Sequence, residues 1–262
     1  MLADPSALQA TPSTVSLRTG NASPIPILTY HQIDEAPAKG ARFRSLYVSP
    51  AAFSRQIAML KLLGYQGMSM SALMPYLRGD KKGKVVGITF DDGYLNNLTH
   101  ALPVLVRHGF SATCYAVSQR LGQTNVWDKE LGIAQTPLMN PMQLRQWVAG
   151  GQEVGAHTRH HSNLTESDKN TCLHEIVLGK SELEDAIAAP VTQFCYPYGQ
   201  FKAEHVVMAQ NAGFLTASTT NRGRCQPGED LMQLPRVPVL RATSLAAFWL
   251  KVASQYEDRR RT

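Results

Sequence analysis

Short β-branched and apolar runs alternate along the chain with longer segments in which apolar residues recur every three or four positions. The first pattern predicts strands and the second predicts amphipathic helices. Ile25–Tyr30 reads as a strand. Ser49-Pro50 then offers an N-cap and a first helical residue, and Phe53, Ile57, Leu60 and Leu63 follow at helical spacing up to Gly64. Val85–Phe90 reads as a strand ending at Asp91-Asp92-Gly93, and a helix from about Asn97 to His108 stops at Gly109. A strand over Ala112–Val117, a helix capped by Asn140-Pro141, and a strand over Glu153–His157 come next. Thr165-x-x-Asp168 resembles a capping box for a long helix to about Ala188. Then follow a strand at Thr192–Pro197, a helix around Ala203–Ala212, a strand at Phe214–Thr219, an extended piece at Leu234–Val239 and a last helix from Ser244.

This is a βα unit repeated roughly seven times. It predicts an α/β fold of one domain, a distorted (β/α) barrel of about seven strands. The expected organisation is a flexible leader over 1–24, the barrel over 25–257 and a basic tail over 258–262. Residues 122–140 have weak periodicity and read as a long loop that could line a site.

Composition narrows the class. Hydrophobic residues make up 44% and charged residues 18%, enough apolar material for a sizeable core and too little charge for a disordered chain. Lys plus Arg exceeds Asp plus Glu by 26 − 20 = 6. Part of that surplus lies in the Arg259-Arg260-Arg261 run, and basic clusters interleaved with aromatics are lacking, so nucleic acid is not an expected partner. No apolar run reaches the roughly 18 residues of a transmembrane segment. The four cysteines lack C-x-x-C spacing, which removes zinc-ribbon and thioredoxin-type chemistry. The first 24 residues, rich in Ala, Ser, Thr and Pro, look like a flexible leader rather than a signal peptide. The expected location is cytoplasmic as written, or periplasmic or extracellular if an export signal was removed.

Candidate chemistry gathers at the predicted strand ends, which is where barrel active sites form. His31 follows one strand, Asp91 and Asp92 another, His157 closes a third, and Tyr196-Pro197-Tyr198-Gly199 follows a fourth. His157 and His161 are four residues apart and can share a cation. A carboxylate from the Asp91-Asp92 pair would complete a two-His, one-carboxylate set with open positions, as catalytic zinc requires. The same set describes a non-haem iron oxygenase. A carbohydrate-binding barrel without catalysis is the third reading.

Three motifs in order resemble a known family. Thr89-Phe90-Asp91-Asp92-Gly93, then His157-Thr158-x-x-His161, then Tyr196-Pro197-Tyr198-Gly199 look like those of the polysaccharide deacetylases, carbohydrate esterase family 4. The resemblance covers about residues 25 to 240. It implies a distorted (β/α) barrel, a divalent metal, most commonly Zn2+, and hydrolysis of N-acetyl groups on an amino-sugar polymer or oligomer. It further implies Asp91 as general base, with Asp92, His157 and His161 as metal ligands. A backbone N–H in the Pro197-Tyr198-Gly199 turn would meet the oxyanion. Two positions depart from the pattern. Cys195 stands where the third motif usually has an Arg, and no His occurs after His205 to serve as general acid. Arg236 is the candidate for the missing guanidinium. His31, in Tyr30-His31, is the candidate acid, as in the circularly permuted subset that includes poly-N-acetylglucosamine deacetylases.

Overall fold

A computed structural model describes residues 23–226 and 228–261. The leader expected over 1–24 therefore lies almost wholly outside the described residues. The strands are β1 (Ile27–Tyr30), β2 (Gln32–Ile33), β3 (Tyr47–Val48), β4 (Gln66–Met68), β5 (Val85–Phe90), β6 (Thr113–Ala116), β7 (Glu153–Ala156), β8 (Gln193–Cys195), β9 (Thr216–Arg222) and β10 (Leu234–Pro238). The helices are α1 (Pro50–Leu62), α2 (Met70–Leu77), α3 (Leu102–His108), α4 (Pro141–Ala149), α5 (Lys169–Ile187), α6 (Ala203–Asn211) and α7 (Leu245–Ala253).

Seven parallel strands close in the order β1-β10-β9-β8-β7-β6-β5, and β5 pairs back to β1 through Ile27–Tyr30 against Gly87–Phe90. The eighth strand, β4, shares one edge of β5 with β6: β4 takes Val85–Gly87 and β6 takes Thr89 and Phe90. This is the distorted barrel that the alternation predicts. The pair β2–β3 stands apart as a two-stranded sheet.

Strand side chains alternate between barrel interior and helix layer. Leu28, Tyr30, Ile88, Phe90, Cys114, Ala116, Val154 and Phe194 join the large core cluster under the helices. Ile27, Val85, Tyr115, Cys195 and Leu234 form the smaller cluster, in alternate register with the first set. Tyr115 lies across the interior. A Cβ on Gly155 would meet its ring at 2.4 Å, and its hydroxyl reaches Ser218 Oγ at 3.0 Å. The period of two puts His31, Asp91, His157 and Arg236 on the inward side, in line with Thr29, Thr89, Gly155 and Leu234.

Several boundaries differ from the sequence reading. The N-cap of α5 is Asp168, whose Oδ1 accepts from the Asn170 and Thr171 amides. Thr165 instead lies in a separate turn, Leu164–Glu166, so the expected capping box does not form. The helix expected from Asn97 begins as a wider π-type turn, Asn97–Ala101, and becomes α-helical at Leu102, with Pro103 in its first turn. Pro103 has no N–H to donate to the preceding turn, and the wider turn at Asn97–Ala101 accommodates that missing bond. The C-terminal run is docked: Glu257 is fully buried against Arg222 and Lys251, and Arg224 pairs with Asp258 at 2.6 Å. Among the described residues no helix is long and apolar enough to cross a membrane.

Candidate active site

His31, Asp91 and His157 are each the residue immediately after a barrel strand, so parallel pairing brings them to one rim. The adjacent aspartates do not share a target. Asp92 has φ 74 and Gly93 φ 81, so the left-handed conformation includes the aspartate as well as the glycine. That turn breaks strand alternation and aims consecutive carboxylates at different partners. A non-glycine residue held there costs on the order of 1–3 kcal/mol, a strain typical of functional sites.

Asp91 faces Arg236. The guanidinium, 1% exposed, donates from Nη1 to Oδ1 at 2.7 Å and from Nη2 to Oδ2 at 2.8 Å. Its remaining donors meet the Thr219 carbonyl at 2.8 Å, Thr89 Oγ1 at 3.1 Å and Cys195 Sγ at 3.2 Å. The short Cys195 side chain on β8 leaves room for a guanidinium arriving from β10. Between Leu234 and Arg236 the register against β9 shifts, setting Arg236 beside Arg222 rather than two residues past Ser218. Burial opposes ionisation of Asp91, but the charge and hydrogen bonds of Arg236 outweigh it and hold the carboxyl below its usual range. His31 Nε2 stands 3.9 Å from Asp91 Oδ2 on the solvent side.

Asp92 faces the two imidazoles. Its Oδ1 is 3.5 Å from His157 Nε2 and 3.3 Å from His161 Nε2. One ligand atom from each of Asp92, His157 and His161 lies within 4.8 Å of the others, and all three residues are buried. His157 Nδ1 donates to the Cys195 carbonyl at 2.8 Å, which fixes the tautomer and leaves Nε2 as a lone-pair donor. Burial and the neighbouring His161 bring the His157 imidazole down to about 4, so it is neutral near pH 7. Two converging imidazole nitrogens and a carboxylate, one imidazole oriented from behind, fit a divalent cation.

The turn that carries His161 is built by α5. Thr158 and His161 have φ 60 and 64. Buried Glu175 accepts the Arg159 and His160 amides on Oε2 at 2.9 and 2.8 Å, and His160 Nδ1 donates to its Oε1 at 2.6 Å. Gly179, one turn on, lets the loop lie against the helix, since a Cβ there would meet the Thr158 carbonyl carbon at 3.1 Å. His160 is partly exposed and also anchors this turn. Trp127 stacks on the His161 ring at 4.5 Å and Tyr198 packs edge-on against it at 4.6 Å.

The third motif forms a 3-10 turn, Pro197–Gly199, with Tyr198 at φ 58. Gly199 and Gln200 donate to the Tyr196 and Pro197 carbonyls, and among the described residues no such bond uses the Tyr198 amide. Only glycine fits at 199, where a Cβ would fall 1.9 Å from Thr220 Oγ1. Tyr198 lines the cavity above the site; Pro197 is buried behind it and, with Gly199, shapes the turn. The cavity is about 160 Å³, bounded by His31, Asp91 and the ligand set on its floor and by Tyr47, Trp127, Asp128 and Tyr198 on its walls. Trp127 and Asp128 come from the 122–140 segment, which the sequence marked as a loop without marking these residues. Trp147, by contrast, is fully buried beside Phe90.

A model of the polysaccharide deacetylase family matches residues 78–217, just over half of the chain. The chain belongs to that family. The Bacillus subtilis protein YxkH, whose name places it among the polysaccharide deacetylases, is 27% identical over 240 residues, covering 91% of this chain and 79% of its own. The poly-β-1,6-N-acetyl-D-glucosamine N-deacetylase of Staphylococcus aureus is 21% identical over 231 residues, covering 80% and 77%. The structure of the Streptococcus pyogenes deacetylase PplD superposes with a TM-score of 0.77 at 23% identity, over 88% of this chain and 99% of that one, a likeness of fold. The protein is a polysaccharide deacetylase, a hydrolase on a closed (β/α) barrel.

Arg236 provides a sharp test of the site in this deacetylase. In Arg236→Lys an ammonium can meet one Asp91 oxygen but cannot reproduce the paired geometry. Losing one charged hydrogen bond, about 1.5–3 kcal/mol, should lower kcat about 10- to 100-fold. Steady-state kinetics on an acetylated oligosaccharide checks this; unchanged rates in both Arg236→Lys and Arg236→Ala would show that the Asp91–Arg236 pair is not needed for the reaction.

Proposed function

We propose that the chain removes N-acetyl groups from amino-sugar residues of a polysaccharide or oligosaccharide, with a divalent metal, Zn2+ by its donor set, held by Asp92, His157 and His161. The observation that carries this reading is the division of labour between adjacent carboxylates. Asp92 points at the imidazole pair, whereas Asp91 is held by Arg236 outside that set. A binding protein has no use for a second, ionised carboxylate there, and a proton-abstracting hydrolase does.

When bound, the cation supplies a water of lowered pKa and polarises the acetyl carbonyl. Asp91, kept ionised by Arg236, takes the proton of the attacking water. The Tyr198 amide, unused within its own turn, donates to the carbonyl oxygen as it becomes an oxyanion. His31 protonates the departing amine, which is a poor leaving group until it gains a proton. His31 and Asp91 lie close enough to act on opposite sides of one scissile bond.

The identity of the acid has its own test. His31→Ala should retain the metal and lose kcat on acetamides by about 10²–10⁴-fold. The loss should be much smaller on an aryl acetate, whose leaving group needs no proton. Equal losses on both substrates would remove His31 from the protonation step. The likeness to the Staphylococcus aureus enzyme favours a poly-N-acetylglucosamine type of substrate. Acetate release from β-1,6-linked N-acetylglucosamine, chitin oligomers and peptidoglycan fragments, compared side by side, tests the substrate class. No release from any of them would reject the reading.

A further inference from the structure

Asp128 is the one cavity-wall carboxylate that the mechanism above does not use. It sits in the turn Val126–Leu131, is 8% exposed, and lines the cavity beside Trp127 and Ile133. Among the described residues a single side-chain hydrogen bond reaches its carboxyl, from Asn125 Nδ2 to Oδ2 at 2.9 Å. Asn125 is itself fully buried and fixes the loop: its Nδ2 also donates to the Ala134 carbonyl at 3.3 Å, and its Oδ1 accepts from the Thr136 amide at 2.7 Å. The loop is tied across the cavity to the β2–β3 segment by Tyr47 Oη with Thr136 Oγ1 at 3.3 Å and by Arg42 to the Leu131 carbonyl at 3.0 Å. Asp128 is thus held rigidly with one oxygen engaged and the other, Oδ1, left to the cavity.

The protein itself makes little use of a carboxyl so placed. Its neighbours on the cavity wall include Phe43, Leu46, Tyr47, Trp127 and Ile133, which are largely apolar, and none of them hydrogen-bonds to its carboxyl among the described residues. Burial raises its pKa, and the Asn125 hydrogen bond only partly offsets this. Nor does it belong to the ligand set: the clusters that could hold a cation contain Asp91 or Asp92 with His157, and not Asp128. A fixed carboxyl with one oxygen turned to the cavity, beside two aromatic side chains, is placed to accept a hydrogen bond from a ligand.

We propose that Asp128 is a substrate-recognition residue, accepting a ring hydroxyl of the amino-sugar unit whose apolar face packs against Trp127 and Tyr198. This rests on the deacetylase reading and adds the subsite that recognises the sugar beside the acetyl group. Both aromatic rings pack against His161, so a pyranose resting on them lies next to the ligand set. Aromatic walls with a few fixed polar groups suit a ring that is apolar on its faces and hydroxylated at its edge.

The test compares Asp128→Ala and the near-isosteric Asp128→Asn with the wild type, using N-acetylglucosamine oligomers and an aryl acetate that lacks the sugar. Metal content is read in parallel. Losing a charged hydrogen bond predicts, for Asp128→Ala, oligomer binding by calorimetry weakened about 10- to 100-fold. The kcat/KM ratio of oligomer to aryl acetate should fall by the same factor, with metal retained. Asp128→Asn, which keeps an acceptor oxygen, should fall between. Equal losses on both substrates, loss of metal, or unchanged oligomer affinity in Asp128→Ala would overturn the assignment. A wild type that binds the oligomer without releasing acetate would instead overturn the deacetylase reading and leave the subsite standing if Asp128→Ala weakens that binding.

Discussion

Asp91→Asn should reduce acetamide hydrolysis by at least about 10²–10⁴-fold, the usual loss when a general base is removed, while metal content stays near the wild-type level. The reason lies in the separate partners of the two aspartates. Asp91 is engaged by Arg236 through both oxygens, and Asp92 faces both His157 and His161. The asparagine keeps the shape but cannot take a proton from water. It also leaves a buried guanidinium without its counter-charge. Removing one partner of a buried pair costs about 3–5 kcal/mol, so the thermal midpoint should fall as well. Kinetics must therefore be taken well below that midpoint, with circular dichroism confirming a folded protein. Loss of metal in this variant would mean that Asp91 is the ligand and Asp92 the base.

Replacing a residue of the ligand set should have the larger effect on activity. His161→Ala, His157→Ala and Asp92→Ala should each deplete the metal and abolish acetate release, because two remaining donors cannot hold a cation against water. The three should differ in stability. His157→Ala removes a buried ring that donates to the Cys195 carbonyl, and His161→Ala opens a gap between Trp127 and Tyr198. Elemental analysis of the purified variants checks the prediction. A full equivalent of metal in His161→Ala would overturn the ligand set. His160 would be a poor replacement, since its Nδ1 is committed to Glu175.

Chemistry at strand ends was legible in the sequence because a parallel barrel gives every strand the same direction. His31, Asp91 and His157 each follow a strand, and closure of the barrel through β1 and β5 brings the N-terminal histidine beside Asp91. Arg236 was nominated from the absence of a guanidinium at position 195. The structure places it against Asp91, with Cys195 small enough to admit it. Other features left no local signal. Glu175 and Glu182 belong to no motif in the sequence, yet Glu175 holds the His161 turn and Glu182 meets Ser118, Gln119 and Arg159. Trp127 and Asp128 lie in a segment without periodicity, where only tertiary packing decides which side chains turn inward. The left-handed Asp92 was hidden because Gly93 alone accounts for a turn at that place. The strands β2, β3 and β4 carry too few positions to show a period, and α2 is a helix of eight residues with Pro75 inside it.

The most direct measurement is acetate release from β-1,6-linked N-acetylglucosamine oligomers by enzyme stripped with a chelator, then titrated with Zn2+. A metal-dependent deacetylase loses activity on stripping and regains it in proportion to added metal, saturating at one equivalent per chain, with Asp91→Asn binding the same equivalent and remaining inactive. Full activity in the stripped protein, or recovery that does not follow the occupancy of a single site, would contradict the assignment of Asp92, His157 and His161.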